Sequence, residues 1–147
     1  MNYILVTGSS GLVGSEASIF FHEKNFKILG LDNDKRSYFF GKSASTKKMT
    51  KKLKGELKNY KHLNIDITDL KNLEKIFLKY KNKIKCIIHA AAQPSHDWAE
   101  KEPLTDFSIN ASGTLNLLYL TKNIVKKVFL FMYLQTKFMV IYLTVFH

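Results

Sequence analysis

At 147 residues the chain can bury one hydrophobic core, so a single domain is expected. Lysine and arginine number 23 against 12 acidic residues, giving a net charge of +11. Arg36 is the only arginine and the lysines are scattered over helix faces and loops, so a solvated basic surface explains the charge better than a nucleic-acid interface. The lone Cys86 excludes an internal disulfide and, lying in an apolar run, reads as a buried structural thiol. The first apolar run is only one strand long, which argues against a signal peptide and for the cytoplasm.

Tyr3-Ile4-Leu5-Val6 reads as a short buried strand. It delivers the chain into Thr7-Gly8-Ser9-Ser10-Gly11-Leu12-Val13-Gly14, the spacing of a dinucleotide-binding turn. Gly8 can take a positive φ at the corner, Gly11 leaves room for a pyrophosphate, and Gly14 lets the next helix pack closely on the strand. The phosphates would then meet free N–H groups and the positive end of a helix macrodipole. Leu12, Val13, Ala17, Phe20 and Phe21 give that helix its apolar residues. A second strand, Lys27 to Leu31, ends in Asp32, placed where a carboxylate grips ribose hydroxyls. Arg36 raises a 2′-phosphate and hence NADP; Asp32 would repel that phosphate and favours NAD.

Ser37 to Ser45, with Phe39-Phe40-Gly41, reads as a mixed loop, and Lys47 to Tyr60 as an exposed helix carrying Met49, Leu53 and Leu57 at helical spacing. Leu63 to Ile67 alternates like a third strand, with Asp66 and Ile67 falling beside an adenine ring. Thr68 or Asp69 can cap a helix whose core stripe is Leu70, Leu73, Ile76, Phe77 and Tyr80. Lys85 to His89 is a fourth strand running into Ala90-Ala91-Ala92-Gln93, small residues that let a cofactor pass across the sheet's carboxyl end. His89 reads as a packed strand-end histidine rather than a catalytic base. In the loop Pro94 to Glu102, Ser95, His96 and Trp98 are candidates for substrate contact, against the plainer reading of a surface loop. Pro103 opens a long helix in which Leu104, Phe107, Ile109, Ala111, Leu115, Leu118 and Leu120 supply apolar contacts. Asn110 and Gly113 inside that helix predict close packing and a hydrogen bond to a neighbouring strand end. Val128 to Phe131 completes five strands alternating with helices, an incomplete Rossmann-type doubly wound parallel sheet.

Thr7-Gly8-x-x-Gly11-x-x-Gly14, Asp32, Asp66-Ile67, His89-Ala90-Ala91 and Asn110 ahead of Gly113-Thr114 together resemble the extended short-chain dehydrogenase/reductase enzymes of the NAD-dependent epimerase/dehydratase family. Asp32-Asn33-Asp34, Phe39-Phe40-Gly41, Ala91 to Ala99 and Pro103 to Phe107 look most like its CDP-paratose 2-epimerase branch, also called CDP-tyvelose 2-epimerase. The resemblance covers residues up to 131. It implies bound NAD, contacts from Gly8, Ser10, Gly11, Leu12, Val13, Gly14, Asp32, Asn33, Asp66, Ile67, Ala90, Ala91 and Gln93, a structural role for Asn110, a nucleotide-sugar substrate with CDP-sugar favoured, and a homo-oligomer for full-length members. A 4-epimerase or 4,6-dehydratase of the same family, and a non-enzymatic dinucleotide-binding module, are the alternatives.

The family's Ser/Thr, Tyr and Lys catalytic set is not matched. Tyr133 and Lys137 have the right spacing but fall on the strand end, too early for the role, so no catalytic residue and no metal ligand is assigned. Residues 132–147 read as an apolar tail after a domain of residues 1–131. Lys137 near the middle of the tail makes it a poor membrane span. Codons exist for Met132 to Ile141 that, read from the third nucleotide, spell Val-Ser-Thr-Asn-Lys-Val-Tyr-Gly-Asp, which is like the family's fifth-strand segment. The tail is therefore expected to be a frameshift product.

Overall fold

A computed structural model describes residues 2–125, 127–134 and 137–144, with side chains for residues 2–125 and 127–132. Five parallel strands are Tyr3–Thr7 (β1), Lys27–Leu31 (β2), Tyr60–Leu63 (β3), Ile84–His89 (β4) and Lys127–Leu134 (β5). A sixth, Lys137–Thr144 (β6), runs antiparallel to β5, giving the order β3-β2-β1-β4-β5-β6. From β1 the chain winds first outward through β2 and β3 and then the other way through β4 and β5. The winding reverses between β1 and β4, and a doubly wound sheet leaves its crevice at the carboxyl ends there.

Parallel strands covered on both faces need apolar side chains on both, and β1, β2 and β4 carry them: Ile4, Leu5, Val6, Ile28, Leu29, Ile84 and Ile87 are almost wholly buried. Leu12–Glu23 (α1) lies on one face, where Phe21 and Phe26 pack on Ile4, Val6, Ile28 and Cys86. The other face receives helices Leu70–Tyr80 and Gly113–Ile124 through Leu73, Phe77, Leu117 and Leu120. The remaining helices, in chain order, are Arg36–Phe40 (α2) and Lys47–Glu56 (α3), then Leu70–Tyr80 (α4), His96–Lys101 (α5), Pro103–Phe107 (α6) and Gly113–Ile124 (α7).

Several sequence expectations are corrected. The third strand ends at Leu63, because beyond it the Asp66 carboxylate captures the Thr68 N–H (2.9 Å) and hydroxyl (2.8 Å) and bends the chain out of the sheet. The loop Ser37 to Ser45 contains α2 and a 3₁₀ turn, Lys42–Ala44, wrapped round buried Phe39. The exposed helix stops at Glu56 and buries Leu53, while Tyr60 belongs to β3. The loop after Pro94 folds as α5, capped where the Ser95 hydroxyl accepts from the Trp98 N–H at 3.3 Å. The long helix is interrupted at Ser108–Ser112 by a π turn. Of the two caps considered for α4, Asp69 serves, accepting from the Asn72 N–H at 3.1 Å. Leu70, Leu104, Phe107 and Leu115 are exposed rather than in the core. The tail supplies β6, whereas Gln135 and Thr136 lie outside the described residues, as do the side chains of Tyr133 and Lys137. Among the described residues no helix is long and apolar enough to cross a membrane.

Gly30, in the middle of β2, is required by a neighbour. The Tyr60 ring lies where a Cβ on Gly30 would be, and its hydroxyl hydrogen-bonds Ser9 Oγ at 2.8 Å. Tyr60 thus crosses β2 to tie β3 to the turn after β1. Replacing Gly30 with Ala should lower the unfolding free energy by about 1–3 kcal/mol through overpacking. In a Tyr60→Ala background the same change should cost much less, which urea denaturation of the four proteins in the cycle will measure.

Candidate functional site

β1 ends in the glycine turn. Gly8 sits at φ +64°, where side chains are rarely tolerated, and an added Cβ there would be 2.8 Å from the Ala90 carbonyl oxygen. A Cβ on Gly14 would overlap the Gly8 carbonyl. The Gly11 N–H donates to Gly8 O at 3.0 Å, closing the turn, and Gly11 O accepts from Ser15 N at 2.9 Å to begin α1. The N–H groups at the start of α1 have no carbonyl one turn back, so they are left for a ligand.

These glycines, Leu12 and Val13 line one cleft with Asp32 and Asn33 from the end of β2, Ile65, Asp66 and Ile67 from the loop after β3, and Ala90, Ala91 and Ala92 after β4. The structure therefore brings together 11 of the 13 expected contact residues: Gly8, Gly11, Leu12, Val13, Gly14, Asp32, Asn33, Asp66, Ile67, Ala90 and Ala91. Ser10 and Gln93 stand behind the cleft. Ser10 donates its N–H to Asp32 Oδ2 at 3.0 Å, and its hydroxyl pairs with Thr50 Oγ1 at 2.7 Å. Gln93 is buried, its side-chain amide donating to Ser95 O at 2.8 Å and Asp106 Oδ1 at 3.1 Å, so it fixes the loop instead of facing a ligand.

Asp32 is held on both oxygens: Ser10 N on one, Asp34 N (3.0 Å) and Thr46 Oγ1 (2.9 Å) on the other. A carboxylate so fixed at the cleft wall can still accept from ribose-type hydroxyls through its remaining lone pairs. Asp66 is more fully engaged. Its Oδ2 takes Asn33 Nδ2 (2.9 Å) and Lys35 Nζ (3.1 Å), and its Oδ1 takes the two Thr68 donors. Burial pushes the Asp66 carboxyl up, but Thr68 and Lys35 outweigh it and hold the group below the ordinary carboxylate range. Lys35, Arg36, Phe39, Phe40 and Thr46 also line the cleft. Of these, Arg36 is the residue the sequence raises as a 2′-phosphate contact, whereas Phe39 and Phe40 fall in the stretch that reads as a mixed loop and Lys35 and Thr46 flank it; the basic pair immediately after Asp32-Asn33-Asp34 is the available signal.

His89 is buried inside a directed relay. Thr114 Oγ1 donates to Asn110 O at 2.7 Å, so its only proton is committed and it accepts from His89 Nε2 at 2.9 Å. Nδ1 then accepts from Thr7 Oγ1 at 2.7 Å, and Thr7 Oγ1 accepts from Ala91 N at 3.2 Å. Burial drives the imidazole down to about 4, leaving it neutral near pH 7 and closed to substrate. Asn110, in the π turn, closes a reciprocal pair with Gln93: Gln93 N donates to Asn110 Oδ1 (2.9 Å) and Asn110 Nδ2 to Gln93 O (3.1 Å). Of the loop candidates, His96 is exposed, Ser95 caps α5, and Trp98 packs on Phe39 and Tyr38; none of the three lines the cleft. Burial raises the Cys86 thiol to about 12, so it is inert. Among the described residues no cluster could hold a metal ion.

Comparison with known proteins places this cleft in context. The NAD dependent epimerase/dehydratase family matches residues 4–139. UDP-glucuronate 4-epimerase of Thermodesulfobacterium geofontis is 34% identical over 131 residues, covering 88% of this chain and 39% of its own length. UDP-glucose 4-epimerase of Caenorhabditis elegans is 32% identical over 120 residues, covering 79% and 33%. Among solved structures, UDP-glucose 4-epimerase from Bifidobacterium longum in complex with NAD+ and UDP superposes with a TM-score of 0.69 at 25% identity, covering 88% of this chain and 36% of that one. The Thermotoga maritima enzyme with UDP-glucose gives 0.67 at 27%, covering 87% and 37%. The chain spans only 33% to 39% of the length of these relatives.

The His89 relay carries a pH signature. The unfolded imidazole takes a proton near 6.5 and the folded one only near 4, so unfolding binds a proton between those values. Stability is full above pH 6.5 and should fall by about 3 kcal/mol as the pH drops to 4. Urea melts across this range should show the loss, and His89→Asn should remove most of that slope.

Proposed function

The chain belongs to the NAD dependent epimerase/dehydratase family, and from that premise we propose that residues 1–131 are the NAD-binding part of a nucleotide-sugar epimerase. One observation carries the reading: the glycine turn, the open first turn of α1 and the Asp32 carboxylate meet in a single cleft at the point where the sheet's winding reverses. The pyrophosphate would lie against Gly8, Gly11, Gly14 and the N–H groups of Leu12 and Val13. Asp32 and Asn33 would hold the adenosine ribose, with Ile65 and Ile67 as the adenine wall. Ala90 and Ala91 leave room for the nicotinamide half. Ser10, Gln93 and Asn110 act from behind, the first fixing Asp32 and the others fixing the loop after β4. Bound NAD supplies reversible oxidation of a sugar carbinol, which is what epimerisation requires.

In this reading the described residues bind and orient the cofactor, and none of them is assigned as the base. Tyr133 is on β5 and Lys137 on β6, where Lys137 pairs with Leu134, so they do not form the one-turn helical pair that lowers a tyrosine's pKa. Binding without epimerisation is the expected state of the chain. The tail is read as a frameshift product, and sequencing the coding DNA from codon 120 onward should show the family's Tyr-x-x-x-Lys in a shifted frame; stop codons there would refute it.

For the substrate, the runs Asp32 to Asp34 and Gln93 to Trp98 support a 2-epimerase acting on a CDP-sugar. The names of the relatives, which act on UDP-sugars at C4, favour the 4-epimerase reading. Assaying the frame-restored protein with both nucleotide sugars separates the two. Leu104, Phe107, Leu115 and Tyr119 leave an exposed apolar stripe along α6 and α7, which supports self-association. Leu115→Arg should therefore lower the mass seen by light scattering.

Gly11 offers a test of the cofactor site that spares the fold. Its backbone is at φ −77°, open to any residue, and an added Cβ would be 3.3 Å from Gly8 O, close but accommodated by a small shift. Gly11→Val should weaken NAD binding, measured by calorimetry, by about tenfold or more, with little change in melting temperature. Unchanged affinity would overturn the assignment.

A further inference from the structure

We propose that the aromatic contacts joining α2 to α5 form a clasp over the cleft, with Trp98 and Tyr38 as positioning residues that retain the bound dinucleotide. The inference rests on the reading of the cleft as a dinucleotide site.

α2 follows the carboxyl end of β2 and α5 follows that of β4, the two strands that flank β1 and its glycine turn. The two short helices meet through rings. Trp98 lies 5.5 Å from Phe39 and 5.8 Å from Tyr38, centroid to centroid, and Tyr38 donates its hydroxyl to Glu102 Oε1 at 2.8 Å. The inner side of this contact is cleft wall: Arg36, Phe39 and Phe40 from α2, with Ala92 and Pro94 from the lead into α5. A dinucleotide running from Asp32 past the glycine turn to Ala91 would therefore lie between α1 on one side and the α2–α5 contact on the other.

The two halves of the clasp are anchored unequally. α5 is rooted by the buried Gln93, which is paired with Asn110 and Asp106. α2 is five residues long and ends at Gly41, which sits at φ +81° with open space at its Cβ position and is tied onward through its carbonyl, which accepts from the Ala44 N–H at 3.0 Å. The outer edge of the contact is exposed, with Tyr38 at 59%, while Phe39 is buried in the core, so opening parts the Tyr38–Trp98 rings and the Tyr38–Glu102 bond and leaves Phe39 in place.

Trp98 and Tyr38 do not line the cleft. Removing either takes no contact from the ligand but lowers the barrier to opening, so entry and exit should speed up together. A ligand contact would behave differently, since its loss raises the exit rate alone.

The test is stopped-flow binding of NADH to the whole chain, with release followed by displacement with excess NAD. Trp98→Ala and Tyr38→Ala should each raise both the association and the dissociation rate constants by about tenfold while the dissociation constant changes by less than about threefold. Trp98→Phe should restore most of the original rates, and Tyr38→Phe, which removes only the bond to Glu102, should give a smaller rise in both. Unchanged rates in the Ala variants, or a faster exit with unchanged entry, would overturn the clasp while leaving the cofactor site standing. Failure of the unsubstituted chain to bind NADH would refute the cofactor reading itself, and the clasp with it.

Discussion

The close approach of Gly8, Gly14 and Ala90 is the constraint on which the site depends. Three backbone segments, the end of β1, the start of α1 and the end of β4, come within a distance at which no Cβ fits at Gly8 or Gly14. Strand hydrogen bonding fixes β1 against β4, with Thr7 opposite His89. Once those two strands are in register, α1 can start only where Gly14 slides past the Gly8 carbonyl, and its first turn is then aimed into the crevice. The cleft is thus a consequence of main-chain packing, and side chains decorate it afterwards.

A second layer of polar contacts holds the rim of that crevice. Asp32, Asp34 and Asp66 all spend their acceptors on neighbouring N–H and hydroxyl groups, so the loops after β2 and β3 are shaped by carboxylates before any ligand arrives. On the β4 side the same work falls to the neutral Thr7–His89–Thr114 relay and to the Asn110–Gln93 pair, both members of which also donate to the Asp106 carboxylate. The π turn at Ser108–Ser112 contains Asn110, whose side chain and carbonyl serve Gln93 and Thr114. π turns in helices are often tied to function in this way.

The sheet is finished unevenly. Helices cover β1 and β2 on both faces, but on the α1 side Cys86, Phe129 and Phe131 border an apolar groove with Ile4, Phe21 and Phe26. Phe129 is 49% exposed. β6 pairs with the edge of β5 without covering this face, since it extends the sheet sideways.

The sequence by itself determined the strands β1, β2, β4 and β5, the glycine turn and the acidic residue after β2, because each has a local cause: apolar runs of strand length, a corner needing positive φ, and a fixed offset along the chain. It also placed 11 residues of the cleft, since the carboxyl ends of consecutive strands converge by topology alone. Both ends of β3 were illegible: the lysine-rich helical stretch runs on to Tyr60, where the strand in fact starts, and the alternation of Leu63 to Ile67 continues past the point where the Asp66 carboxylate bends the chain. What only the tertiary structure decided is which polar groups face the cleft and which stand behind it. Gln93 turns inward because Asp106 and Asn110, from a helix at least ten residues away, offer it partners, and Trp98 turns toward Phe39 because α2 folds up to meet it. Hydrogen bonds and ring contacts between distant segments leave no periodicity in a sequence, so their partners become known only when the chain has closed on itself.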